Sequence, residues 1–150
     1  GGVCSVSLKL HVGVVPSSRH GYGFMAELHG SPYQQELIAE INAPFAPDLV
    51  VMDGVEVFVD GGPATGKRVR GDVVLASTDR VAIDAVGVAV LKSLGSNDQV
   101  MTRPIFTQKQ IARAVELALG AASPEAIELV ATDSSGEDFR DKVAAILSQG

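Results

Sequence analysis

Apolar positions in this chain gather into two short runs bracketed by acids and one long run with an acid inside it. Asp48-Leu49-Val50-Val51-Met52-Asp53-Gly54 is continuously apolar rather than alternating, the pattern of a strand covered on both faces. Asp53 is thereby expected at a strand's carboxyl edge. Asp72-Val73-Val74-Leu75-Ala76-Ser77-Thr78-Asp79 repeats the arrangement, and Thr78 or Asp79 is placed to cap the following helix with a side-chain oxygen. That helix, about 80–94, is apolar on all sides from Val81 to Leu91, so its middle must be buried. Asp84 is the exception, and a carboxylate there needs a partner or a changed protonation state because bare charge is costly to bury. Arg80, one turn earlier, is one such partner; a role in a site is the other reading.

Around these runs the remaining elements follow helical and strand periods. Ser31-Pro32-Tyr33-Gln34 starts a helix with Ser31 as cap, and Tyr33, Leu37, Ile38 and Ile41 form its apolar stripe up to Pro44. Thr107-Gln108-Lys109-Gln110 is a second capping box, with Ile111, Val115, Ala118 and Leu119 inward and Gly120 as terminator. Residues 127–132 are a third strand candidate, and Ser135 caps a last helix whose buried side chains are Phe139, Val143, Ile146 and Leu147. Val6 to Val15 suits a strand or a short helix, and Ser17 to Gly23 reads as a mobile loop. Strand and helix alternate through the second half, which predicts an α/β layered sandwich with a mostly parallel or mixed sheet flanked by helices. Parallel strands would open Asp53, Asp79 and the intervening glycine loop on one side; an antiparallel pairing through Val55-Glu56-Val57-Phe58-Val59 is the alternative.

The glycine loop, Asp60-Gly61-Gly62-Pro63-Ala64-Thr65-Gly66-Lys67-Arg68, superficially matches a phosphate-binding G-x-x-x-x-G-K pattern. Arg68 stands where a magnesium-binding hydroxyl is needed, and no helix N-terminus follows to face a phosphate. The loop is either a turn-rich connector or a place where backbone N–H groups and Lys67 approach another anion. His11, His20 and His29 have no spacing that sets two on one helix face, which argues against a zinc site.

Composition narrows the partners. The 150 residues suit one domain, are 46% hydrophobic and 20% charged, and carry a net charge of −6, which disfavours a broad nucleic-acid surface. No run is long enough to span a membrane. The single cysteine, Cys4, excludes an internal disulfide and points to a reducing cytoplasm. Gly1 to Ser5 begins as though inside a folded unit, so a single domain over 1–150, truncated at its N-terminus, is expected.

Several of these segments together resemble one family. They are Ser7-Leu8-Lys9 with Gly13 and Pro16, the run from Pro47 to Gly54, Gly62-Pro63 and Gly66, and Ala76-Ser77-Thr78-Asp79-Arg80-Val81-Ala82-Ile83-Asp84-Ala85-Val86. In this order they resemble the domain of unknown function 362 family over roughly residues 1 to 95; Leu10 departs from it, since a polar Asn is expected there. The resemblance implies a bacterial or archaeal protein with a further α/β half ahead of position 1, joined in some members to ferredoxin-like four-iron, four-sulfur segments. No cysteine series for such a cluster is present in this chain.

Three functions are compatible with these residues. One is a small anionic-ligand site at the strand ends built from Lys9, Asp53, Gly54, Gly62, Pro63, Gly66, Asp79 and Asp84, in which Lys9 holds the anion and Asp53 or Asp84 accepts a proton. A second uses Asp53, Asp79 and Asp84 as hard oxygen ligands for magnesium. The third is a docking or scaffold module for the missing N-terminal half or an iron–sulfur redox partner, with homo-oligomerisation through an open sheet edge. No cofactor and no reaction is specified by any of them.

Overall fold

A computed structural model describes residues 6–62 and 64–149. The first element of the described residues is a 3₁₀ run, Ser7–Val14, which resolves the strand-or-helix choice there, followed by α1 (Phe24–Gly30) and α2 (Gln34–Ile41). Two strands, β1 (Val50–Gly61) and β2 (Gly66–Ser77), precede α3 (Arg80–Ser93), α4 (Asp98–Met101), α5 (Lys109–Glu116) and α6 (Glu137–Leu147). Helices and sheet are thus mixed, as α/β patterning requires. The expected mostly parallel sandwich is corrected: the sheet of the described residues has two strands, and they are antiparallel.

The correction has a local cause. Val50 opposes Ser77 and Gly61 opposes Gly66, so residues 54 to 71 are the extensions of both strands and the turn between them. Gly61 and Gly62 adopt φ of 73° and 92°, a left-handed conformation that glycine supplies without a Cβ clash and that closes a hairpin. Gly54, which closes the first apolar run, and Gly71, which precedes the second, lie inside this ribbon. A Cβ on Gly71 would come 2.4 Å from the Gly54 carbonyl oxygen, so close strand approach demands glycine there. Next to them the register shifts between Gly54 and Glu56, with Asp72 at φ 50°, which marks a β-bulge.

One face of the ribbon carries Met52, Val73 and Leu75 toward α3, where Gly87 admits the Met52 side chain. From Val81 to Val90 every residue of α3 is buried, among Leu8 of the 3₁₀ run, Ile38 of α2, Ile111 of α5 and Val143 of α6. Burying each of the valine, leucine and isoleucine side chains here contributes roughly 1.5–3 kcal/mol. The third strand expected at 127–132 does not form: the backbone is extended at Ile127 but pairs with no strand among the described residues, because Ile127 and Leu129 pack against the helical core.

Candidate functional site

Asp79 and Asp84 occupy the N-terminal half of α3 for different reasons. Asp79 is the helix cap: its Oδ1 accepts from the backbone N–H of Val81 at 2.8 Å and of Ala82 at 2.9 Å. Its Oδ2 accepts from the Ala121 N–H at 2.7 Å, tying the segment after α5 to the start of α3. Gly120 is required for that approach, since a Cβ there would lie 2.1 Å from Asp79 Oδ1. Both oxygens are therefore occupied by donors.

Asp84 is fully buried and accepts hydrogen bonds from Ser7 Oγ at 2.5 Å, the Leu8 N–H at 3.1 Å and Gln110 Nε2 at 3.0 Å. Burial pushes its carboxyl up to about 6, against the pull of the Ser7, Leu8 and Gln110 donors, which favour the ionised form. Pairing with Arg80 is corrected by the structure. The Arg80 guanidinium turns the other way, donating through Nη1 to the carbonyls of Asn42 (2.7 Å) and Phe45 and through Nε to Leu119 (3.4 Å). Burial holds Arg80 below its ordinary value, with the neighbouring Asp79 charge opposing.

The 3₁₀ run is clamped from a second side by Asn42, whose buried Nδ2 donates to the Leu8 carbonyl at 2.7 Å and to Ile38 at 2.8 Å. Its Oδ1 lies 2.6 Å from His11 Nδ1, and the His11 ring stacks on Phe45 with centroids 4.6 Å apart. Lys9 is half-buried on this same run.

The remaining expected residues lie elsewhere. Asp53 stands inside β1, opposite Val74, with an exposed carboxylate that accepts from the Val55 N–H at 2.9 Å. At about 3.3 Å per residue, the ladder puts Asp53 roughly 25 Å from the hairpin tip that carries Gly62 and Gly66. Gly54 faces Val73 in the ladder, and Pro63 lies outside the described residues. The structure thus brings Asp79 and Asp84 to one helix, leaves Gly54 beside Asp53, and sets Gly62 and Gly66 at the opposite end of the ribbon.

At that tip lies an open groove of about 770 Å³ between the hairpin and the α3–α4 connection. Asp60, Gly61, Gly62 and Lys67 form one wall, and Ser96, Asn97, Asp98 and Gln99 the other. The walls are held together by the Val59 carbonyl, which accepts from the Asn97 N–H and from Ser96 Oγ, both at 2.9 Å. Two carboxylates and one ammonium line it, a balance suited to a polar or zwitterionic molecule better than to a bare anion.

Sequence reasoning missed Ser7 and Gln110 as Asp84 partners and Asn42 as the clamp. Ser7 was present in the family-like segment and Gln110 in the capping box, but only the tertiary fold brings them to α3. Among the described residues, no group of three or more His, Cys, Asp and Glu side chains is arranged to hold a metal ion, and no helix is long and apolar enough to cross a membrane. No curated protein and no solved structure matches the chain. A family model does, that of the Domain of unknown function (DUF362), over residues 2–89, more than half of the sequence that carries the Asp53, Asp79 and Asp84 segments, and the chain belongs to that family.

Proposed function

We propose that this single α/β domain is an association module whose contact surface is the outer face of the β1–β2 ribbon. One observation carries the reading: Leu49, Val51 and Val74 are 61%, 62% and 62% exposed at the outer side of a ribbon whose other face is packed on α3. Val51 lies opposite Ala76, and Val74 opposite Asp53, so the apolar side chains form one patch across both strands. Among the described residues neither strand has a second strand on its outer edge. For the isolated chain the occupant is a second copy, packed ribbon face on ribbon face at about 10 Å. In a larger assembly the same face would receive the further α/β half or the iron–sulfur redox partner that family resemblance implies, in a reducing, cytoplasmic setting that suits one cysteine.

Sedimentation velocity across a concentration series tests this. The wild type is expected to self-associate, and the Val51→Lys/Val74→Lys double variant to remain monomeric with an unchanged melting temperature. A monomeric wild type at all concentrations, or equal association by the variant, would remove the proposal.

A second reading is favoured by the tip groove and Lys67: a small polar ligand bound between the hairpin and residues 95–99. Amide chemical-shift titration with inorganic phosphate and with a zwitterionic amino acid discriminates its chemistry. Shifts confined to Gly61, Gly62, Lys67 and Asn97 support it, and none with either probe ends it.

A further inference from the structure

The Ser7–Val14 run covers the buried carboxylate of α3, and its own groups, the Ser7 hydroxyl and the Ser7 and Leu8 N–H groups, supply three of the four donors given to it, Gln110 being the fourth. Among the described residues, no cationic side chain is paired with Asp84. On α5, Lys109 pairs with Glu36 of α2 at 3.3 Å, and Arg113 pairs with Glu40 of α2 and with Glu116, both at 2.8 Å. Arg80 faces main-chain carbonyls, His11 faces Asn42, and Lys9 is engaged with a partner. On β1, Asp53 turns to the Val55 N–H and Glu56 to Arg68. Covering Asp84 therefore desolvates a carboxylate without supplying a counter-charge, and uncovering it restores water.

We propose that the Ser7–Val14 run is a flap whose closure is linked to protonation of Asp84, held down in acid and loosened as the pH rises. Ser7 makes both protonation states bondable. Its Oγ lies 2.5 Å from Asp84 Oδ1 and 3.3 Å from the Arg80 carbonyl oxygen, and one hydroxyl hydrogen serves only one of them. With Asp84 ionised, Ser7 donates to the carboxylate. With a proton taken from solvent, the carboxyl donates to Ser7 Oγ, and Ser7 donates to Arg80.

Linkage fixes the direction. The covered carboxyl, near 6, holds its proton more tightly than an uncovered one near 3.8, so closure is favoured fully below 3.8, and the advantage is lost as pH rises through about 6. The change in the opening equilibrium is on the order of 100-fold. Lifting the flap would uncover the Leu8 side chain where the run packs on α2 and α3.

Hydrogen–deuterium exchange of the 7–14 amides from pH 5 to 8, corrected for intrinsic chemistry, reads this directly. Wild-type protection is expected to fall by about 10-fold across this range relative to Asp84→Asn, whose carboxamide keeps the shape and cannot titrate. Any dependence left in the variant belongs to groups other than Asp84. Equal pH dependence in both proteins, or none in the wild type, overturns the proposal. Should the variant not fold, carbon-13 titration of the wild-type carboxyls decides: a buried Asp midpoint near 6 supports the flap, and an ordinary Asp84 midpoint removes it.

Discussion

The junction at the start of α3 and the outer ribbon face use the same kinds of residue in opposite ways. At the junction, Asp79, Asp84, Asn42 and Arg80 are met atom for atom by donors and carbonyls from four other segments. On the ribbon, Asp53 turns back to its own strand, while Val51 and Val74 face solvent. Satisfied polar atoms inside and unsatisfied apolar atoms outside assign different work to the two regions. The junction fixes the fold, and the ribbon face is left available for contact.

The comparison is broken most strongly through pH. Asp84 has its carboxyl raised by burial, so its contribution to stability is complete below pH 3.8 and disappears as the pH passes through about 6. Urea denaturation of the wild type and Asp84→Asn at pH 4 and pH 8 is expected to show a difference that moves by on the order of 2 kcal/mol, the wild type losing ground at pH 8. A difference constant with pH would mean that Asp84 is not desolvated, and the junction would then resemble the ribbon.

Asp79→Ala comes next. It removes a cap that serves two N–H groups of α3 and the clamp on Ala121, so a loss of about 2 kcal/mol is expected by thermal or urea unfolding. Asp79→Asn should recover part of it, because one oxygen still accepts. If alanine were tolerated within about 0.5 kcal/mol, the carboxylate would be free for some use other than holding the fold.

The parts legible in the sequence are those decided by nearby residues. The α3 limits, its all-round burial and a cap at Thr78 or Asp79 followed from an unbroken apolar run behind an acid, and the structure gives the cap to Asp79. Strand pairing was not legible, because Gly54 and Gly71 carry no mark that separates a strand end from a bulge inside a ladder. The same ambiguity moved Asp53 from an edge to mid-strand. Arg80 followed helical spacing toward Asp84 in the sequence, whereas three carbonyls at the end of α2 and beyond α5 outbid a single buried carboxylate. Family-like segments located Ser7 and Asp84 but were silent on Gln110, which joins them only after α5 packs.

The finest version of the comparison lies in two adjacent residues. Val73 points to the core under α3 and Val74 to the exposed face, so the same Val→Thr exchange samples both environments at equal shape. Val73→Thr places a hydroxyl in a largely apolar setting and is expected to destabilise by about 1 kcal/mol, while Val74→Thr should stay within about 0.5 kcal/mol. Because the two positions share a strand, intrinsic β-propensity cancels between them, and the difference in unfolding free energy isolates burial. Equal effects would mean that the outer face is covered in solution as closely as the inner one, which is the state a face-to-face pair of copies produces. Repeating the measurement above and below the association concentration then separates the two causes, since only a covered face makes the Val74→Thr effect depend on protein concentration.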